Sequence, residues 1–211
     1  MAGNTQDERN FCISAFPDLA FDKSFKVTSD CNRLYNCIGF AIGYQDLWIS
    51  TGRDNIPWFW WPDIAPYNDL QDSLVRTFEY FGFEICNNDM PEEGYDKVAL
   101  YAKDGRWKHA ARIIGSGIYH SKLGECYDIY HRAGDVLNSS TDPNNSYGTP
   151  FVFMRRKILD RALLSVKKPE FGTLYYKGCP IPYMTPSKAN PGLIKYLIHQ
   201  AISRIDKMVN P

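Results

Sequence analysis

At 211 residues the chain can bury one core of ordinary domain size without disulfide or metal staples. Lysine plus arginine number 24 and aspartate plus glutamate 24, a balance that argues against a nucleic-acid binder and a polybasic membrane anchor. With 44% hydrophobic and 15% aromatic residues, disorder is excluded for most of the chain, and an aromatic-rich core or cleft is implied.

The N-terminal segment MAGNTQDERN is polar, with no basic region followed by an apolar stretch, so no secretory signal is expected. No run approaches the ~18 apolar residues that span a bilayer. Residues 1–30 read as an irregular lead-in. The six cysteines (Cys12, Cys31, Cys37, Cys86, Cys126, Cys179) are scattered and form no C-x-x-C pair. Reduced thiols, no metal site and no cofactor are therefore expected.

Asn32–Asn36 reads as a loop feeding a short apolar helix. Asn36 is a suitable N-cap, which puts Cys37 in the first turn. Ile38, Phe40 and Ile42, interleaved with Gly39 and Ala41, predict a helix buried nearly all round. The run Trp58-Phe59-Trp60-Trp61-Pro62 is too short for a helix. It either plugs the core or lines a groove. Asn68 or Asp69 then caps a second helix, with Leu70, Leu74, Val75, Phe78 and Phe81 at helical spacing and Gly82 as its stop.

The middle of the chain is β. Residues 83–86 are a short strand. Residues 96–103 and 106–114 flank Asp104-Gly105, a strong two-residue hairpin signal. Such a turn pairs Lys103 with Arg106 and hence Leu100 with His109. One face would then carry Val98, Leu100, Ala102, Trp107, His109, Ala111 and Ile113, and the other Tyr101, Lys103, Arg106, Lys108 and Arg112. Strands follow at 118–123, 127–131 and 151–154, with a turn-rich loop at 138–150. Beyond Arg155 the pattern predicts a helix over 158–166, an irregular proline-rich stretch, and a terminal helix over 192–208. The apolar stripe of that last helix (Ile194, Leu197, Ile198, Ala201, Ile202, Ile205) must pack on the domain or on a partner chain.

A thiol at a helix start feels the positive end of the dipole, which lowers its pKa. A nucleophilic cysteine also needs a base. Cys37 and an inward-facing His109, 109 − 37 = 72 positions apart, form the one such combination in the pattern. The bland alternative is that His109 is a satisfied core residue. His120 and His131 on later strands, and His199 on the terminal helix, carry weaker signals.

The helix NCIGFA, with His109 on the strand pair that follows, resembles the papain-like thiol hydrolase superfamily and its NlpC-type peptidases. A closer resemblance is to a bacterial family of papain-like proteins. It rests on NCIGFA, Trp60-Trp61-Pro62, FEYFGF at 78–83, KVALYA at 97–102, HAAR at 109–112, SKLG at 121–124, and Asp128-Ile129 with His131. Tyr147-Gly148 and Arg155-Arg156 complete it. It covers about residues 33–156. It implies an α+β papain-like domain over 31–156, a Cys-headed helix packed on an antiparallel sheet, and the helix pattern beyond it predicts a helical C-terminal extension over 157–211.

The resemblance implies Cys37 as nucleophile and His109 as base. Asp128 ranks first as the group that orients the imidazole, and Ser121 takes that place if a bulge intervenes. The Cys37 backbone N–H and the Asn32 or Asn36 side chain are oxyanion candidates. Trp58, Trp60 and Trp61 either line a substrate cleft or pack the core. The expected activity is thiol-dependent hydrolysis of an amide bond in a protein, a peptidoglycan peptide or a small amide. Transfer or deamidation could use the same dyad. A cytoplasmic protein follows, or an effector or toxin exported by a signal-less system. The competing expectations are an idle papain-like binding module and an immunity or assembly protein joined through the 192–208 helix.

Overall fold

The computed structural model describes residues 4–51, 59–132, 134–158, 170–176 and 179–185. The lead-in is more ordered than its composition suggests. Helix α1 (Gln6–Ala15) starts at a reciprocal capping box: Thr5 accepts from the Glu8 N–H and Glu8 accepts from the Thr5 N–H. Such a box satisfies two orphan donors and contributes about 1 kcal/mol. A 3-10 turn (Pro17–Phe21) and strand β1 (Lys26–Val27) follow. Helix α2 (Cys37–Ile42) comes next, then two short parallel strands, β2 (Trp48–Ile49) and β3 (Phe59–Trp60). Helix α3 (Gln71–Tyr80) is nearly as the periodicity predicts. The helix expectation over 158–166 falls, beyond Ile158, outside the described residues, as do Trp58 and the 192–208 stripe.

The remaining strands are β4 (Glu84–Cys86), β5 (Tyr95–Lys103), β6 (Arg106–Gly115), β7 (Ile118–Lys122), β8 (Asp128–Arg132) and β9 (Thr149–Lys157). With β1 they form one antiparallel seven-stranded sheet in the order β1-β8-β7-β6-β5-β9-β4. Strands β10 (Glu170–Tyr176) and β11 (Cys179–Thr185) pair separately as an antiparallel ladder, where an irregular stretch is expected.

The papain-like expectation is corrected here. The described chain is mostly antiparallel sheet, and its helices are few and short. The Cys-headed helix has six residues and ends at Gly43, whose φ of 128° suits glycine. Two turns of helix cannot form the layer that a helix-on-sheet fold requires. One sheet face is instead covered by α2, α3 and the Trp60-Trp61 segment. The other is covered by aromatic side chains of the strands themselves and, towards β1 and β8, by α1 and the 3-10 turn.

The β5–β6 hairpin pairs Lys103 with Arg106 as predicted, but the pairing then slips. Tyr101 faces His109 while Ala102 faces Trp107, so Lys108 is an extra residue in β6. The adjoining β5–β9 ladder slips beside it, between Leu100 and Tyr101. The slip divides the predicted inward face in two. Trp107 stays with Val98, Leu100 and Ala110 under α2 and α3, its ring stacked 5.7 Å from that of Trp61. His109, Ala111 and Ile113 turn to the opposite face, with Tyr101 and Tyr119.

Gly148 closes on this slipped region with φ of 70°. A Cβ there would collide with the Ala102 carbonyl oxygen. Left-handed backbone and overpacking together predict that Gly148→Ala lowers stability by about 2–5 kcal/mol. Urea unfolding measures this, and a midpoint equal to wild type would refute the steric argument.

Candidate active site

Asn36 holds the start of α2. Its Oδ1 accepts from the Gly39 N–H (3.0 Å) and the Ile49 N–H (3.2 Å), and its Nδ2 donates to the Ile49 carbonyl (2.7 Å). The side chain is thus committed to the cap and to β2, and the oxyanion role expected of it is not supported. Asn32 folds back locally, accepting from the Leu34 N–H at 2.8 Å.

Cys37 keeps part of its surface open to solvent. The main-chain amides of Ala110, Ile38 and Cys37 itself lie against its sulfur and favour the thiolate. The β6–β7 ladder ends at Ala111–Ser121, so the Ala110 contact lies where β6 has lost its partner strand. Close packing round the sulfur outweighs these donors and the nearby Lys122 ammonium, and burial pushes the thiol up to about 11. The resting group is a neutral thiol. The helix-start argument predicted the reverse, but two turns of helix supply too little dipole to offset the desolvation.

His109, one residue from that contact, is wholly buried, and its Nε2 lies 2.9 Å from Ser121 Oγ. Ser121 Oγ lies 2.7 Å from His131 Nε2, and His131 Nδ1 lies 2.7 Å from the Arg132 carbonyl oxygen. A carbonyl only accepts, so the direction of the whole chain follows. His131 Nδ1–H donates to Arg132. His131 Nε2 must then accept from the Ser121 hydroxyl, and Ser121 Oγ accepts from His109 Nε2–H. Burial holds both imidazoles neutral: His131 is lowered to about 4 and His109 well below its ordinary value. This leaves His109 Nδ1 with a bare lone pair, buried and without a hydrogen-bond partner. The Tyr147 ring stacks on the imidazole at 4.3 Å and 10°. The thiol and the imidazole flank one point of β6, but no hydrogen bond joins them.

Asp128, ranked first as the orienting group, is elsewhere. It lies on the other face, accepting from Tyr35 Oη at 2.8 Å and paired with buried Lys122 at 3.9 Å. Register explains this: Lys122 faces Asp128 across the β7–β8 ladder, while Ser121 shares the face of His109. A second irregularity, between Ile113 and Gly115 in the β6–β7 ladder, sets Ala111 opposite Ser121 and so puts Ser121 on the face of the imidazole. The sequence reading placed His131 and Tyr147 on no site. Face alternation back from Ser121 and across β7–β8 was the signal that could have found His131. Trp60 and Trp61 are core residues, and Trp61 Nε1 donates to the Pro66 carbonyl at 3.1 Å. Among the described residues, no three His, Cys, Asp or Glu side chains are grouped to hold a metal ion.

A family model described as "Domain of unknown function (DUF7689)" matches residues 26–155, from β1 to β9, and so spans every residue of the relay. No curated protein and no solved structure matches the chain.

Proposed function

The chain belongs to the family of the domain of unknown function DUF7689, and on that premise we propose that it is a cysteine-dependent hydrolase acting on amide bonds. The observation that carries the reading is the directed relay His109–Ser121–His131. It fixes one tautomer of His109 and leaves Nδ1 as a proton acceptor on one face of β6, with the Cys37 sulfur against the neighbouring Ala110 on the other. The chemistry of thiol hydrolases is what is carried over. Their fold is not.

In this reading substrate binding moves the start of α2 so that the Cys37 sulfur passes round β6 to the His109 face and completes the dyad. Cys37 Sγ loses its proton to His109 Nδ1 and attacks the carbonyl carbon. The resulting imidazolium is steadied through Nε2–H by Ser121, and the Cys37 N–H serves as a donor to the developing oxyanion. The imidazolium then protonates the leaving amine, and water hydrolyses the thioester. Tyr147, stacked on the imidazole, is a positioning residue. The five described cysteines are all free, which fits a reducing compartment such as the cytoplasm. Among the described residues no helix is long and apolar enough to cross a membrane.

The test uses p-nitrophenyl acetate as acyl donor, with intact-mass detection of the acetyl adduct. A burst of acylation at Cys37 is expected, absent in Cys37→Ala and slowed about 10²–10⁴-fold in His109→Gln. Iodoacetamide should meanwhile alkylate Cys37 more slowly at pH 7 than a free thiol, and faster as pH rises towards about 11. If Cys37 takes no acyl group at any pH, the hydrolase reading fails. The raised thiol pKa then favours a binding module that keeps the site without turnover.

A further inference from the structure

We propose that Cys31 and Cys126 form a reversible disulfide, a redox modification site separate from the relay. Cys31 lies in the loop that leads into α2, and Cys126 lies in the connection between β7 and β8. Their sulfurs stand 2.8 Å apart. The surrounding main chain holds them there. The Asn32 N–H donates to the Cys126 carbonyl at 3.3 Å, the Cys31 thiol contacts the Glu125 carbonyl at 3.7 Å, and Arg33 pairs with Glu125 at 3.2 Å. Oxidation therefore needs little movement of the backbone, the condition that separates a ready pair from two cysteines that merely lie close.

Access is asymmetric. Cys31 is exposed and Cys126 half-buried, so an oxidant meets Cys31 first and Cys126 serves as the resolving thiol. A peroxide is the oxidant. The Cys31 thiolate attacks one peroxide oxygen, the S–O bond forms, the O–O bond breaks and, for hydrogen peroxide, water leaves. The Cys126 thiolate then attacks the sulfenic sulfur. The S–S bond forms, the S–O bond breaks and a second water leaves. Two electrons pass from the two thiols to the peroxide, and a small dithiol reverses the change by exchange. Burial and the Cys31 contact push the Cys126 thiol up to about 11 against the pull of the Lys122 ammonium, which keeps Cys126 in the resolving role and leaves first attack to Cys31. Cys12 also lies near these sulfurs but is wholly buried, and Cys86 contacts the Asn88 carbonyl instead.

The experiment treats the reduced full-length chain with stoichiometric hydrogen peroxide, then blocks free thiols under denaturing conditions and maps disulfides by peptide mass. The thiol titre should fall from six to four (6 − 2), with a Cys31–Cys126 cross-linked peptide that dithiothreitol abolishes. Cys31→Ser, at an exposed position, should fold normally and give no cross-linked peptide. A titre that stays at six, a different dominant pairing, or an intramolecular disulfide at Cys126 in Cys31→Ser would each overturn the proposal.

Discussion

Arg156→Leu is expected to lose about 3–5 kcal/mol of stability, the range for removing one partner of a buried ion pair. Arg156 is 2% exposed. Its Nη2 donates to the Ile42 carbonyl at 2.8 Å and to Asp96 Oδ2 at 3.0 Å, its Nη1 donates to the Phe81 carbonyl at 3.4 Å, and its guanidinium lies 4.3 Å from the Phe83 ring centroid. Ile42 ends α2, and Phe81 is the C-cap of α3. One planar cation therefore serves the orphan carbonyls of two helices, at the end of each where positive charge is favoured. Leucine fills the volume and leaves these acceptors and Asp96 without it. Arg156→Lys should recover only part of the loss, because an ammonium cannot spread its donors across the same plane. Urea unfolding of both variants decides the matter. Equal midpoints for wild type and Arg156→Leu would show that the guanidinium is not what ties the helix ends.

The second large effect is with pH. His109, His120 and His131 are all lowered by burial, the last two to about 4. The unfolded chain therefore binds protons near pH 6.5 that the folded chain refuses, so stability is complete above that pH and is lost as pH falls towards 4. Each histidine contributes a slope approaching about 1.4 kcal/mol per pH unit, and the three together about 4. Asp128 works the other way at the acid end, since burial raises its carboxyl and the folded state takes up that proton more readily. Urea unfolding at pH 7, 6 and 5 should show a steep fall, and His131→Gln should flatten it by up to about a third. A stability flat across that range would mean the histidines are solvated in the native state.

Much of the site's scaffold was legible in the sequence. Asn36 caps α2 with Cys37 in its first turn, and Asp104-Gly105 pairs Lys103 with Arg106, both as local chemistry predicts. The Thr5 and Glu8 capping box was also present as a pattern, though the lead-in was read as irregular. What alternation could not reveal is the extra residue at Lys108. A bulge has no strong composition signal, and its effect is to reverse the face of every residue after it relative to the turn. The third member of the site was misranked through a second slip of this kind, between Ile113 and Gly115, which sets the register of β7. Asp128 is the right kind of group on the wrong face, and Ser121 is a weaker acceptor on the right one. The separate β10–β11 pairing lay beneath a proline-rich composition. Pro180 and Pro182 weigh against a strand, and this ladder tolerates them as an edge can.

The slip at Lys108 also sets how mutations in this stretch should distribute. Trp107 and Ala110 both serve the face beneath the helices although they stand three apart, a spacing that a regular strand cannot place on one side. Tolerance to polar substitution should therefore run with period two along 109, 111 and 113, then change phase across 108. There 107 behaves like 110 and 112. A chain that lost one residue in this hairpin would keep its composition and its turn. It would have to choose between stacking Trp107 on Trp61 and keeping the histidine relay in line.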